Sequence, residues 1–187
     1  EGGLDVDFMV SSELEAARAV INAIAVPGAR ATDIFADGQV TIAEFEIEPQ
    51  AAGCPFLDVP LAEAPLPRDS RIGMITRGDR LILPSGRERL RVGDRVVVMA
   101  SPAAAREWSR GLAPDVPPIE DAIVFGADRL GLAIARALLE RPMRVRIVER
   151  DEARARAAAA ALPRARVFRA DVLDREFMRD ERVGRAD

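Results

Sequence analysis

At 187 residues, 49% apolar and with a net charge of −4, the chain has material for one or two packed domains and no basic excess that calls for nucleic acid or an anionic membrane. It contains no His, no Tyr and no Lys, so all 27 basic residues are Arg, whose guanidinium keeps its proton at any ordinary pH. General acid or base work would fall to Asp, Glu or Cys54, and Schiff-base chemistry is excluded within these residues, which disfavours catalysis.

The chain opens on Glu1 with no initiator Met, as expected of a piece of a longer protein, and its acidic start does not look like a signal peptide. After a short apolar stretch, Val6 to Val10, the run Ser12-Glu13-Leu14-Glu15 reads as a capping box. A helix then follows, with Leu14, Ala17, Ile21 and Ile24 on one face, stopped by Pro27-Gly28. From Gln39 the pattern turns to strands. Val40, Ile42, Phe45 and Ile47 lie in a β-rich segment, and a proline-rich passage runs from Cys54-Pro55 to Pro67. Cys54 is the single cysteine, cannot form an internal disulfide and fits a reducing compartment.

Three short apolar runs, Arg71 to Thr76, Arg80 to Pro84 and Arg95 to Ala100, are separated by the turn signals Gly78-Asp79, Ser85-Gly86 and Gly93-Asp94. With a helix from Ala103 to Arg110 they predict a small α+β module, and Ala113 to Pro118 reads as a stiff linker. From Ile119 strands and helices alternate. Strands are expected at Ala122 to Phe125, Val145 to Val148 and Arg166 to Phe168, and helices at Leu130 to Leu139, Asp151 to Leu162 and Asp174 to Val183. That order is the first half of a doubly wound, Rossmann-like parallel sheet. No stretch reads as a membrane span, since Ala122 to Leu139 carries Asp128, Arg129 and Arg136.

The stretch VFGADRLG, residues 124 to 131, is almost a G-x-G-x-x-G phosphate turn, with Gly126 and Gly131 in the outer places and Asp128 in the middle one. Glu149 follows Gly126 by 23 residues, where an acidic side chain takes ribose hydroxyls in such folds. Asp128 adds bulk and charge where phosphate approaches. Two unit charges about 4 Å apart repel by roughly 1 kcal/mol in water and about 4 at an effective dielectric near 20. That weakens binding from about fivefold to nearly a thousandfold. Two other arrangements stay open: Arg129 turned toward the ligand to offset the charge, and a cation recruited by Asp128 to bridge phosphate. Asp171 and Asp174 follow the third strand, Asp171 as a candidate pocket residue and Asp174 as a helix cap.

The segments ELEAARAVINAIAVPGA, FADGQVTIAEFEI and, most specifically, PSGRERLRVGDRVVV resemble the C-terminal ligand-sensing (TrkA-C) domain of the regulators of potassium conductance, the RCK family. The segment from AIVFGADRLG to DREFM resembles the start of a nucleotide-binding (TrkA-N) domain of the same family. The resemblance implies residues 1–38 as the terminal strand and crossover helix of a preceding nucleotide-binding domain, 39–112 as TrkA-C, 113–118 as linker and 119–187 as half of TrkA-N. It further implies a cytoplasmic regulatory subunit at the inner face of the cell membrane, bound to a potassium transporter of the Trk type and pairing as a homodimer through 39–112. A channel or antiporter module is the alternative, and an NAD-dependent oxidoreductase a more distant one. NAD(H) or ATP/ADP would bind at Gly126, Ala127, Asp128, Arg129, Leu130 and Gly131, with Glu149 on the ribose, Arg150 beside the adenosine and Asp171 near the base. Two departures, Asp128 for Gly and Ala170 for the Gly that often precedes the aspartate, weaken that site.

Overall fold

The computed structural model describes residues 11–186, so the Val6 to Val10 stretch lies outside the described residues. The chain divides into two compact units, Asn22–Pro118 and Ile119–Asp187 together with the residues up to Ile21.

Helix α1 (Ser12–Ala25) begins one residue off the expected cap. The Ser11 hydroxyl, not that of Ser12, accepts from the Leu14 N–H at 3.4 Å, while both serines donate to Glu13 Oε2. Ala17 of the predicted apolar face is buried, but Leu14 stays exposed.

In the Asn22–Pro118 unit, strands β1 (Ala31–Phe35), β2 (Val40–Glu46), β3 (Ser70–Arg77), β4 (Arg80–Ile82) and β5 (Asp94–Ala100) form one antiparallel sheet in the order β1-β2-β5-β3-β4. The sheet therefore starts upstream of Gln39: β1 pairs with β2 from Ala31↔Glu44 to Phe35↔Val40. Alternation does the sorting, because side chains two apart share a face. In β5, Asp94, Val96, Val98 and Ala100 are buried, and in β2 Ala43 and Phe45 join them. Helix α2 (Pro102–Leu112) covers this face. Ser101 caps it by accepting from the Ala104 N–H, Pro102 needs no donor at the first helical position, and Ala104, Ala105, Trp108 and Leu112 point inward. Trp108 packs edge-on to Phe56 at 4.8 Å and donates its indole N–H to Ser70 Oγ at 3.0 Å, which removes the cost of burying that donor.

The motif PSGRERLRVGDRVVV closes this core through one ion cluster. Asp94, fully buried, receives Arg77 Nε at 2.7 Å and Arg77 Nη2 at 2.9 Å, and its Oδ2 also accepts from the Arg91 N–H at 2.9 Å. Arg77 reaches Glu88 Oε1 at 3.3 Å and the Arg89 carbonyl at 2.8 Å. Hydrogen bonding to Asp94 raises the Arg77 pKa further above its ordinary value. Gly93, at φ +89°, makes the turn that delivers Asp94 into the interior.

In the other unit β6 (Asp121–Phe125), β7 (Arg144–Glu149) and β8 (Arg166–Arg169) run parallel in that spatial order, with Val124↔Ile147 and Ile147↔Val167 in register. Helices α3 (Arg129–Leu139) and α4 (Glu152–Ala161) make the crossovers, burying Ala135, Leu138 and Ala158 with Val145, Ile147 and Val148. Asp151 caps α4 and Asp174 caps α5 (Arg175–Asp180). That last helix is shorter than the expected Asp174 to Val183. It stops before Arg182, which sits at φ +52°, and a single 3₁₀ turn follows.

Candidate nucleotide-binding turn

Strand β6 delivers the chain to Gly126, whose N–H bonds the Val148 carbonyl at 2.8 Å. Gly126 turns at φ +96°, a conformation that side chains resist. A Cβ on Gly131 would stand 2.2 Å from the Gly126 carbonyl oxygen, so the helix can meet the turn this closely only as glycine. Between them Asp128 is extended, at φ −76° and ψ −175°, and caps α3: its Oδ1 accepts from the Gly131 N–H at 2.8 Å. The donor that a helix N-terminus offers to phosphate is thus already bonded to a carboxylate of the same chain.

Glu149 lies at the C-terminal end of β7 as expected, but its carboxylate points inward, with the residue only 4% exposed. Oε2 accepts from the Ala127 N–H at 2.8 Å, and Oε1 accepts from the Asp151 N–H at 2.8 Å and from Arg154 Nη2 at 3.2 Å. The Asp151 and Ala127 N–H groups, helped by Arg154, hold its pKa below the ordinary carboxylate value against the opposing effect of burial. Glu149 ties the β6–α3 turn to the β7–α4 turn. Sequence reasoning missed this role for Asp151 and Arg154, although D-E-A-R directly after a strand is a visible capping signal.

The remaining predicted residues divide. Ala127 is buried within the turn, and Leu130 is exposed in the first turn of α3. Arg129 does not face the turn: its Nη2 pairs with Glu13 Oε1 at 3.1 Å, and its side chain is 88% exposed. Arg150 is exposed beside Glu149. Asp171 Oδ1 accepts from the Leu173 N–H at 2.9 Å in a local turn after β8. A cleft of about 730 Å³ lies at the opposite ends of the strands, lined by Asp121, Arg144, Arg146 and Arg166. There Arg146 is committed to Asp121, with Nη2 to Oδ2 at 2.8 Å. Among the described residues no group of three or more His, Cys, Asp or Glu side chains could hold a metal ion. No described helix is long and apolar enough to cross a membrane.

An antiparallel α+β sheet domain followed by a glycine-turn parallel sheet is the order of domains the comparisons find. Residues 42–110 match the TrkA-C domain and residues 122–187 the TrkA-N domain. Most of the chain is thus matched by a TrkA-C domain followed by a TrkA-N domain. Its similarity to curated relatives runs the whole length. It is 26% identical over 181 residues to Trk system potassium uptake protein trkA homolog 1 of Methanosarcina mazei, covering 95% of this chain and 43% of the relative. It is 27% identical over 188 residues to a TrkA homolog of Archaeoglobus fulgidus, covering 100% of this chain and 42% of the relative. It is 28% identical over 191 residues to TrkA of Azorhizobium caulinodans, covering 98% and 41%. The chain thus spans about two fifths of the length of these relatives, whose names are those of transport proteins and not of enzymes. Among solved structures it is similar to the GsuK RCK domain at a TM-score of 0.49 and 18% identity, over 97% of this chain and 38% of that one.

Proposed function

We propose that this chain is the central part of a cytoplasmic regulatory subunit of a Trk-type potassium uptake system, which gates a membrane transporter by nucleotide-dependent conformational change. The observation that carries the reading is the order of domains, TrkA-C followed by TrkA-N in one chain. Residues 39–112, with β1 (Ala31–Phe35) added to their sheet, act as the ligand-sensing and dimerisation domain, 113–118 as linker and 119–187 as the first half of a nucleotide-binding domain, with the residues before β1 as the end of a preceding one.

Regulation of this kind needs no chemical step. A ligand that binds one conformation better than another shifts their populations by its differential affinity. A chain without His, Tyr or Lys suits that task. Met99 and Leu81 stay exposed on the sheet, apolar surface that pairing through this domain would cover. NAD(H) or ATP/ADP is the ligand class, and at Gly126 to Gly131 Asp128 weakens its binding.

The test is potassium-limited growth and rubidium uptake in cells that have a Trk-type transporter but lack its regulatory subunit, with and without the full-length protein. Restored uptake supports the reading. Uptake that the protein leaves unchanged, beside a positive control with a known subunit, refutes it.

A further inference from the structure

The glycines of a dinucleotide turn do different work, and here the structure separates them. Gly126 is required by its φ of +96°, and Gly131 by the 2.2 Å that would separate its Cβ from the Gly126 carbonyl oxygen. Both serve the strand–turn–helix connection whether or not a ligand is present. Residue 128 sits at φ −76°, where any side chain is at ease, so the fold does not ask for glycine there. The middle glycine of the fingerprint leaves room for the pyrophosphate. This chain keeps the two glycines the fold needs and replaces the one the ligand needs.

Two carboxylates of the chain also take bonds a ligand would use. Asp128 Oδ1 accepts from the Gly131 N–H, and Glu149 Oε2 accepts from the Ala127 N–H, both at 2.8 Å. A carboxylate at a helix N-terminus is stabilised by the same N–H groups and dipole that favour a phosphate. Of the neighbouring cations, Arg129 is paired with Glu13 and Arg154 with Glu149.

Building on the regulatory reading above, we infer that Asp128 sets the ligand specificity of this turn. Its carboxylate occupies the phosphate seat, excludes nucleotides and keeps the turn in an occupied arrangement. The TrkA-N domain of this chain is then blind to nucleotides, and the nucleotide response of the full-length protein arises at another site.

Calorimetric titration of the full-length protein with NADH and with ADP tests this. Asp128→Gly should take up one more equivalent per chain than the unaltered protein, bound at this turn. Asp128→Asn guards against misfolding, because Asn caps helices as well as Asp does and only the charge is lost. It should gain affinity by about fivefold or more. Unchanged stoichiometry and affinity in both variants overturns the inference. Protection of residues 126–131 from hydrogen exchange by NADH in the unaltered protein also overturns it. The regulatory reading is judged separately, by potassium uptake: a chain that restores uptake but gains no equivalent as Asp128→Gly sinks only the present inference.

Discussion

Two carboxylates carry more of this protein than their neighbours, and each is bonded in a way that makes its removal measurable. Asp94 is fully buried with Arg77 and the Arg91 N–H on its oxygens. Removing one partner of a buried pair strands the other, at a typical cost of about 3–5 kcal/mol. Arg77 keeps some contact with solvent and with Glu88, which places Asp94→Ala near the low end, at about 3 kcal/mol by denaturant unfolding. A loss well under about 1 kcal/mol, as for an exposed pair, would show that the cluster does not close the core. Glu149 works through pH. Its folded pKa lies below the ordinary value, so its contribution is complete above the unfolded carboxylate pKa of about 4.3 and is lost as pH falls through the folded value. Stability should therefore decline below about pH 4.3. Glu149→Gln should be less stable at neutral pH and show a shallower acid slope, without abolishing it, because Glu13 and Glu88 also have lowered pKa values. An identical slope in the variant would mean that the three donors around Glu149 do not favour its charged form.

Helices α3, α4 and α5 each begin on an aspartate, and this regularity allows the elements to be tested one by one. Asp151 Oδ1 accepts from the Arg154 N–H at 2.8 Å at the start of α4, a helix with five consecutive alanines and little apolar face of its own. Asp151→Ala should cost about 1 kcal/mol, the usual price of a lost cap. Gly131→Ala should cost more than that, because the turn must open before α3 can form. If the alanine variant proves as stable as the parent, the close approach of α3 to Gly126 is not needed. Of these caps only Asp174 was read from the sequence, whereas the strand and helix order was legible throughout, because periodicity is a local signal. The less legible parts were set by tertiary contacts. Ser11 in place of Ser12 as the cap of α1, the early end of α5 and the recruitment of Ala31–Phe35 into the sheet depend on partners distant in the chain. At the turn, the sequence marked Asp128 as the departure from the fingerprint. It could not show that the side chain caps α3, that Arg129 turns to Glu13, or that Glu149 faces inward.

At the scale of the whole molecule, the two compact units each enclose apolar side chains of their own, and Trp108, the single tryptophan, lies in the Asn22–Pro118 unit. Its emission therefore reports on the antiparallel sheet domain alone, while far-ultraviolet ellipticity reports on helices of both. Domains with separate cores can unfold separately, and two-state behaviour is not expected of such a chain. Asp94→Ala should move the Trp108 transition to lower denaturant, since Asp94 sits in the core that Trp108 fills. Glu149→Gln should leave that transition in place and move only the ellipticity lost with the parallel sheet. Coincident shifts of both probes in both variants would show that the units unfold as one. If Asp128 holds its own turn occupied, the parallel-sheet unit should also keep its transition midpoint when NADH is added, and Asp128→Gly should acquire a ligand-dependent rise.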